Sequence, residues 1–467
     1  MTPAKVTSDS VLERLKSHLE NSQLIPPGAS VLVGYSGGPD STALLHLLHH
    51  LEIDCVAAHL HHGMRPEADT ELQKCTDFAD SLGIPFVSGR ADIPGLSSKL
   101  KVGVEEAGRH ARLNFFRQSA YQTNCPFIAT GHTKDDHIET ILMHIIRGTG
   151  LTGLIGIHAS RDSIVRPLLP FTRSETRAYC EQNNLWFHDD PGNFDENFTR
   201  VRLRHRLIPE FEAINPNFST ALTRVAETVE SEDQFLNHIA ASVLQQAEIP
   251  LNGNLHFLTQ ECELCFSKSI LATSGEVPLR RGLRIATSFI GGELDYTQTK
   301  VLTRLILQSK TGSITTENTH IVVEVGSSEV HIRSLAQEEP FRFPLTIPGE
   351  TESEIFGWKF TAQSAPPIDY ERTANSLDVV FDQSKTQGGL HFRASQPGDQ
   401  IVPFGESKPR KVADLLANAK LTSTARRRLP IICDMIGPIW IPGIRLSERV
   451  RITPDTNKAL RVQFESL

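Results

Sequence analysis

Short apolar runs alternate with amphipathic stretches along the first part of the chain. Residues 31–35, 54–60, 85–87 and 127–130 are strand-length, and between them 42–51, 67–82, 104–123 and 135–147 have the look of helices. Such alternation predicts a parallel sheet with helices on both faces and a ligand beyond the carboxyl ends of the strands. From about Asn217 the pattern changes. Leu222, Val225, Val229, Phe235, Leu236, Ile239, Val243 and Leu244 recur at helical spacing, so 218–247 predicts one or two amphipathic helices, with another at about 296–309. Short strands are expected at 320–325 and 329–332. Beyond Glu338 the chain is rich in Pro and Gly with strand-length runs at 379–381, 401–403 and 439–441. At 467 residues the chain is too long for one core. The expected fold class is α/β in three parts: a doubly wound parallel sheet over 1–216, a mainly helical middle domain over 217–337, and a small α/β C-terminal domain over 338–467.

Composition narrows the class. A hydrophobic content of 39% and a charged content of 22% describe an ordinary globular protein. No apolar run reaches 18 residues and residues 1–5 lack an apolar signal core, so no membrane partner and a cytoplasmic location are expected. The seven cysteines are scattered, which fits reduced thiols better than a disulfide framework. Cys262-Glu263-Leu264-Cys265 is a single C-x-x-C without a second pair at metal-site spacing, which argues against zinc or redox chemistry for that pair. The formal charge of −8 argues mildly against a nucleic-acid partner, but binding responds to local patches. Residues 391–429 carry eight Lys/Arg against three acids, with Lys408, Arg410, Lys411, Arg426, Arg427 and Arg428 as the candidate contacts. A second basic stretch is 200–206. A solvated face is the alternative for each.

The densest chemistry follows the first predicted strand. Ser36-Gly37-Gly38-Pro39-Asp40-Ser41 lies between that strand and a helix, where glycines let the backbone approach an anion and the helix N–H groups point at it. No lysine follows, so this is not the loop that holds a nucleotide for γ-phosphate transfer. Asp40 beside a phosphate calls for a divalent cation between them or a donor network around it. Gly131-His132-Thr133-Lys134-Asp135-Asp136-His137-Ile138-Glu139 follows the fourth strand, and with Asp40 nearby its adjacent carboxylates would be relieved by Mg²⁺ bridging carboxylates and phosphate oxygens, structural capping being the alternative for Asp135. His59, His61 and His62 end the second strand and would face the same crevice. Glu105, Arg109 and Arg112 share one helix face, by default as a surface ion pair.

The six-residue loop resembles the SGGxDS loop of the PP-loop ATP pyrophosphatases. The succession of that loop, HLHHGMR at 59–65, GVEEAGRHAR at 103–112, GHTKDDHIET at 131–140, RGTGLTGL at 147–154, RPLL at 166–169, the 189–193 turn and the arginine-rich 200–209 is similar to that of the tRNA(Ile)-lysidine synthetases. The stretches at 398–405, 411–416, 427–430 and 440–445 resemble that family's C-terminal domain. His137, Gly192 and Val201 depart from the family pattern, so in the last basic segment weight falls on Arg200 and Arg204. The resemblance implies a sheet of PP-loop ATPase type and a ligase that uses ATP and Mg²⁺ to attach L-lysine to C2 of the wobble cytidine in the CAU anticodon of tRNA(Ile). A cytidine O-adenylate forms, and pyrophosphate and then AMP are released.

On that reading Ser36, Gly37, Gly38, Pro39, Asp40, Ser41 and His61 bind nucleotide, and Asp40 and Asp136 hold the metal. Asp40, Asp136 and Arg112 serve catalysis. Glu105, Arg109, Arg112, His132, Glu139, Arg200 and Arg204 bind substrate, and the basic residues at 408–411 and 426–428 grip tRNA. A second copy of the chain is an admissible partner. The rival enzyme is a PP-loop tRNA cytidine sulfurtransferase, which would need cysteine pairs near the ATP domain. A glutamine-dependent amidotransferase would need a glutaminase domain, and an RNA-binding protein with a vestigial nucleotide fold would not need intact Asp40, Asp135, Asp136 and Glu139.

Overall fold

The computed structural model describes residues 8–61, 68–189, 198–316, 320–335, 340–366 and 376–467, and the chain divides into two compact units, Met1–Asp233 and Gln234–Leu467. The His62–Arg65 and Asp190–Asn193 parts of the motifs above lie outside the described residues.

The first unit runs α1 (Ser8–Ser22), β1 (Val31–Gly34), α2 (Pro39–His50), β2 (Cys55–His61), α3 (Ala68–Ser81), β3 (Phe86–Arg90), α4 (Ile93–Leu100), α5 (Val104–Gln122), β4 (Phe127–Thr130), α6 (Lys134–Arg147), α7 (Leu151–Leu154), β5 (Ser160–Arg161), β6 (Ile164–Val165), α8 (Arg173–Gln182), α9 (Thr199–Arg202) and α10 (Ile208–Ile214). The predicted alternation is present, with the helix expected at 42–51 starting three residues earlier because Pro39 takes its first turn. The sheet order is β3-β2-β1-β4-β6-β5, parallel except for β5. Strand alternation gives it two buried faces. Val31 and Val33 pack with Leu44, Leu45 and Tyr179, whereas Leu32 and Ile128 pack with Phe116 of α5. A Cβ on Gly34 would lie 2.8 Å from the Phe116 ring, so the glycine that ends β1 lets α5 close on the sheet. Chain order reverses at β1, between β2 and β4, and the carboxyl ends of these strands form the crevice expected at such a switch point.

α11 (Phe218–Ala247) is one continuous helix that starts in the first unit and ends in the second. The second unit continues with β7 (Glu263–Ser267), α12 (Lys268–Thr273), α13 (Glu276–Phe289), α14 (Tyr296–Leu307), β8 (Gly312–Thr315), β9 (Ile321–Val325) and β10 (Glu329–Ser334). These strands form an antiparallel sheet in the order β7-β10-β9-β8, whose Phe266, Val323, Val330 and Ile332 share a core with Leu279 and Leu283 of α13 and Leu302 and Ile306 of α14. Farther along, a five-stranded and a four-stranded sheet enclose an aromatic core of Trp358, Phe360, Phe392, Trp440 and Phe464, with the Phe360 and Phe392 rings stacked 4.0 Å apart. α15 (Val412–Asn418) and α16 (Ser423–Arg428) complete this part. No described helix is long and apolar enough to cross a membrane.

Candidate active site

The loop between β1 and α2 is shaped for an anion. Gly37 has φ +80°, and a Cβ there would come within 2.9 Å of Cys75 Sγ and His188 Nδ1. Ser41 Oγ accepts from the Ser36 amide at 3.2 Å, lies 3.1 Å from Ser36 Oγ and donates to the Gly38 carbonyl at 3.0 Å. These bonds hold the loop curled. Gly38 caps α2 without any side chain occupying the helix amides, and Pro39 at the first position has no N–H to lose, so the positive helix end stays open to a ligand. His61, buried at the end of β2, lies 3.6 Å from Asp69.

Gly131 brings the loop after β4 against this cradle. A Cβ there would meet the backbone of Asp40 and Ser41 at 3.1 Å. Thr133 and Asp136 then form a capping box, with the Thr133 amide and hydroxyl both donating to Asp136 Oδ2 at 2.9 Å. The paired carboxylates thus have separate tasks: Asp136 starts α6, while Asp135 accepts from the Arg173 amide at 2.9 Å.

Arg173, which the sequence reading passed over, connects the acids. Its guanidinium donates to Asp136 Oδ1 and, at 2.8 Å, to Glu139 Oε1, and its Nε lies 3.6 Å from Asp40 Oδ2. Arg204 Nε meets Glu139 Oε1 at 2.8 Å from the other side. Residues Leu203–Leu207 form a single π-helical turn between α9 and α10, and that local winding carries Arg204. The capping box Thr172-x-x-Glu175, which opens α8 and so fixes Arg173 in its first turn, was the available sequence signal.

The electrostatics divide in two. Burial, then Asp136 and Asp135, push the Asp40 carboxyl up to about 6 against the pull of Thr176 and Arg173. Burial acts the same way on Asp136, but Arg173, His132 and the Thr133 donors outweigh it and hold that carboxyl below its ordinary range. On the other side His132, with Nδ1 2.9 Å from Thr130 Oγ1, is pushed down to about 4 by burial and by Arg166, Arg200 and Arg109, despite Asp136. It is neutral at pH 7. Arg112 keeps a face open to solvent, yet desolvation by its surroundings and the like charge of Arg109 lower its guanidinium. Arg166 donates to the His158 carbonyl at 2.7 Å and Arg200 Nε lies 3.4 Å from Met143 Sδ. Glu105 is exposed in the first turn of α5. An acid cluster tied by two arginines therefore adjoins a cationic cluster.

The donor set fits a divalent cation. A carboxyl raised by burial and then by its acidic neighbours is relieved by one, and Asp40 Oδ2, the less tightly held oxygen, is available beside Asp136.

Among the predicted C-terminal contacts, Lys408, Lys411 and Arg427 are exposed. Arg410 is exposed and paired with Glu406 at 2.8 Å. Arg426 donates to the Leu421 carbonyl at 2.9 Å, and Arg428 donates to the Ile355 carbonyl at 3.0 Å and lies over the Phe356 ring.

Two family models match this chain, one described as a PP-loop domain over residues 8–211 and one as a TilS substrate C-terminal domain over residues 390–463. Among curated proteins, the tRNA(Ile)-lysidine synthase of Geobacter sulfurreducens is 29% identical and covers 95% of each chain. That of Clostridium tetani is 28% identical, over 95% of this chain and 96% of the relative. That of Dehalococcoides mccartyi is 26% identical, over 97% of this chain and 99% of the relative.

Proposed function

We propose, for a chain that belongs to the tRNA(Ile)-lysidine synthase family, that it uses ATP to join lysine to the wobble cytidine of a tRNA(Ile) bearing a CAU anticodon. The observation that carries the reading is the meeting of an uncapped phosphate cradle, Ser36–Ser41, with the acid cluster tied by Arg173. A C2 carbonyl is a poor electrophile, so its oxygen first attacks the α-phosphate of ATP. A phosphate–oxygen bond forms and pyrophosphate leaves. The lysine amine then forms the C–N bond at C2 and AMP leaves.

The cradle and the positive end of α2 bind the departing pyrophosphate. Asp40 and Asp136 would hold Mg²⁺, which supplies positive charge to the phosphate oxygens when bound. Arg173 keeps the acids in register, and Arg204 is held in turn by Glu139. His132, neutral at working pH, offers a hydrogen bond without a competing charge, while Arg109, Arg166 and Arg200, whose charges act on it, and Arg112 beside Arg109 would bind the α-phosphate or a substrate carboxylate. The target base lies in a single-stranded loop and must be splayed out to reach this crevice. Exposed Lys408, Lys411 and Arg427 supply phosphate contacts for the tRNA body. The protein acts in the cytoplasm, where that tRNA is found, as a single chain or as a pair.

The thiols favour this chemistry over sulfur transfer. Cys55, Cys75, Cys125 and Cys180 are all buried, and burial pushes Cys55, Cys75 and Cys180 up to about 12, which suits no sulfur relay. Incubation with ATP, labelled lysine and total tRNA tests the reading. Lysine label in tRNA with matching AMP and pyrophosphate supports it, and ATP-dependent labelling of tRNA from an added sulfide donor, with none from lysine, overturns it.

A further inference from the structure

The C-x-x-C at Cys262 and Cys265 does not act as a pair. Cys262 lies 3.5 Å from Arg428 Nη1, before β7 begins. Cys265 points instead toward a different set. It stands opposite His331 in the antiparallel register of β7 and β10, and Glu329 lies two residues before His331, on the same face of the sheet. Cys265 Sγ is 3.6 Å from His331 Nε2, and His331 Nε2 is 3.0 Å from Glu329 Oε2. The three ligand atoms all lie within 4.8 Å of one another.

We propose that Cys265, His331 and Glu329 form a site for a zinc-class divalent cation in the second unit, separate from the ATP chemistry. Two of the three ligand-to-ligand distances match the edges of a tetrahedral shell. Zn–N and Zn–O bonds of about 2.0 Å and a Zn–S bond of about 2.3 Å place sulfur and nitrogen roughly 3.5 Å apart, and nitrogen and oxygen roughly 3.3 Å apart, at the corners of a tetrahedron. The observed 3.6 and 3.0 Å lie close to both edges. A surface His–Glu pair alone would need no buried sulfur at its back, and Cys265 is 1% exposed. Thiolate, imidazole and carboxylate together select Zn²⁺ or Co²⁺ over Mg²⁺, which prefers oxygen ligands. Glu329 and His331 are half-buried, so water can take the fourth position. A bound ion would tie β7 to β10 across the sheet, and the Cys265 proton would be released as the sulfur bonds to the metal.

The test uses the purified full-length chain, stripped with a chelator and titrated with Zn²⁺ against a chromophoric competitor, and with Co²⁺ by absorption. Expected are one tight equivalent in the parent, at least tenfold weaker binding in His331→Ala and in Glu329→Gln, and a thiolate-to-cobalt charge-transfer band lost in Cys265→Ser. His331 and Glu329 are half-buried, so their variants keep the fold if Cys265→Ser does not, and ATP consumption with tRNA checks that they do. Equal affinity and stoichiometry in the parent and His331→Ala, or a cobalt complex without the thiolate band, overturns the proposal.

Discussion

Glu139→Gln removes one negative charge from the best-shielded point of the site while keeping the shape of the side chain. The Glu139 side chain is 1% exposed and receives Arg204 Nε at 2.8 Å, Arg204 Nη2 at 3.3 Å and Arg173 Nη1 at 2.8 Å. In the variant an amide NH₂ faces a guanidinium, and two cations lose their shared counter-charge. Each charge-assisted bond contributes about 1.5–3 kcal/mol, and breaking a buried pair costs about 3–5 kcal/mol. Arg173 and Arg204 remain about a quarter exposed, and Arg173 keeps Asp136 and Asp40, so the lower end applies. The expected loss is about 3 kcal/mol, or roughly 6–12 °C in the melting of a unit this size. Urea unfolding and hydrogen exchange should place the loss in α6 and residues 199–207, with the second unit's protection unchanged. A double-mutant cycle with Arg204→Met should give less than the sum of the singles. A loss below about 1 kcal/mol, or additive effects, refutes the claim that Glu139 is the shared anchor of both arginines.

Asp40→Asn should abolish pyrophosphate release while leaving tRNA affinity within a few-fold, measured side by side; undiminished turnover removes Asp40 from the metal site. Arg427→Ala should weaken tRNA binding and lower the slope of log K against log salt by about one, whereas Arg426→Ala should act mainly on stability because its Nε is spent on the Leu421 carbonyl. His46, buried against Tyr179, is pushed down to about 4 by burial and by His50 and His49. The unfolded chain therefore takes up a proton near pH 6.5 that the folded one refuses until about 4, and stability should fall by about 3 kcal/mol as pH drops through that window; His46→Gln should flatten the curve, and an unchanged slope contradicts the assignment.

The first sheet was legible because its strands are short apolar runs bounded by glycine and separated by helical stretches, a pattern set by local sequence. Ser36–Ser41 and Gly131–Glu139 could be placed in one crevice for the same reason, since both follow strands of a parallel sheet. Arg173 was not legible. It reaches the acids from α8, across a loop and the two-residue strands β5 and β6, which are too short to leave a periodic signal. The motifs present Glu139 and Arg204 as separate substrate contacts, and only the π-helical turn that winds Arg204 back toward α6 makes them a pair. The basic count over 391–429 hid a division of labour: Arg393 is closed on Asp399 at 2.7 Å and Arg428 is packed on Phe356, while Arg427 faces solvent. Cys265 and His331 are 66 residues apart, and only strand register joins them.

The order of the two chemical steps can be read in one experiment. The enzyme with ATP, Mg²⁺ and tRNA but no lysine should accumulate an adenylated tRNA, because the cradle and the Asp40/Asp136 cluster need only ATP and the C2 oxygen. Adding lysine should discharge it with release of AMP. ATP–pyrophosphate exchange that depends on lysine and proceeds without tRNA would instead show that the lysine carboxylate is activated first, and would contradict the account.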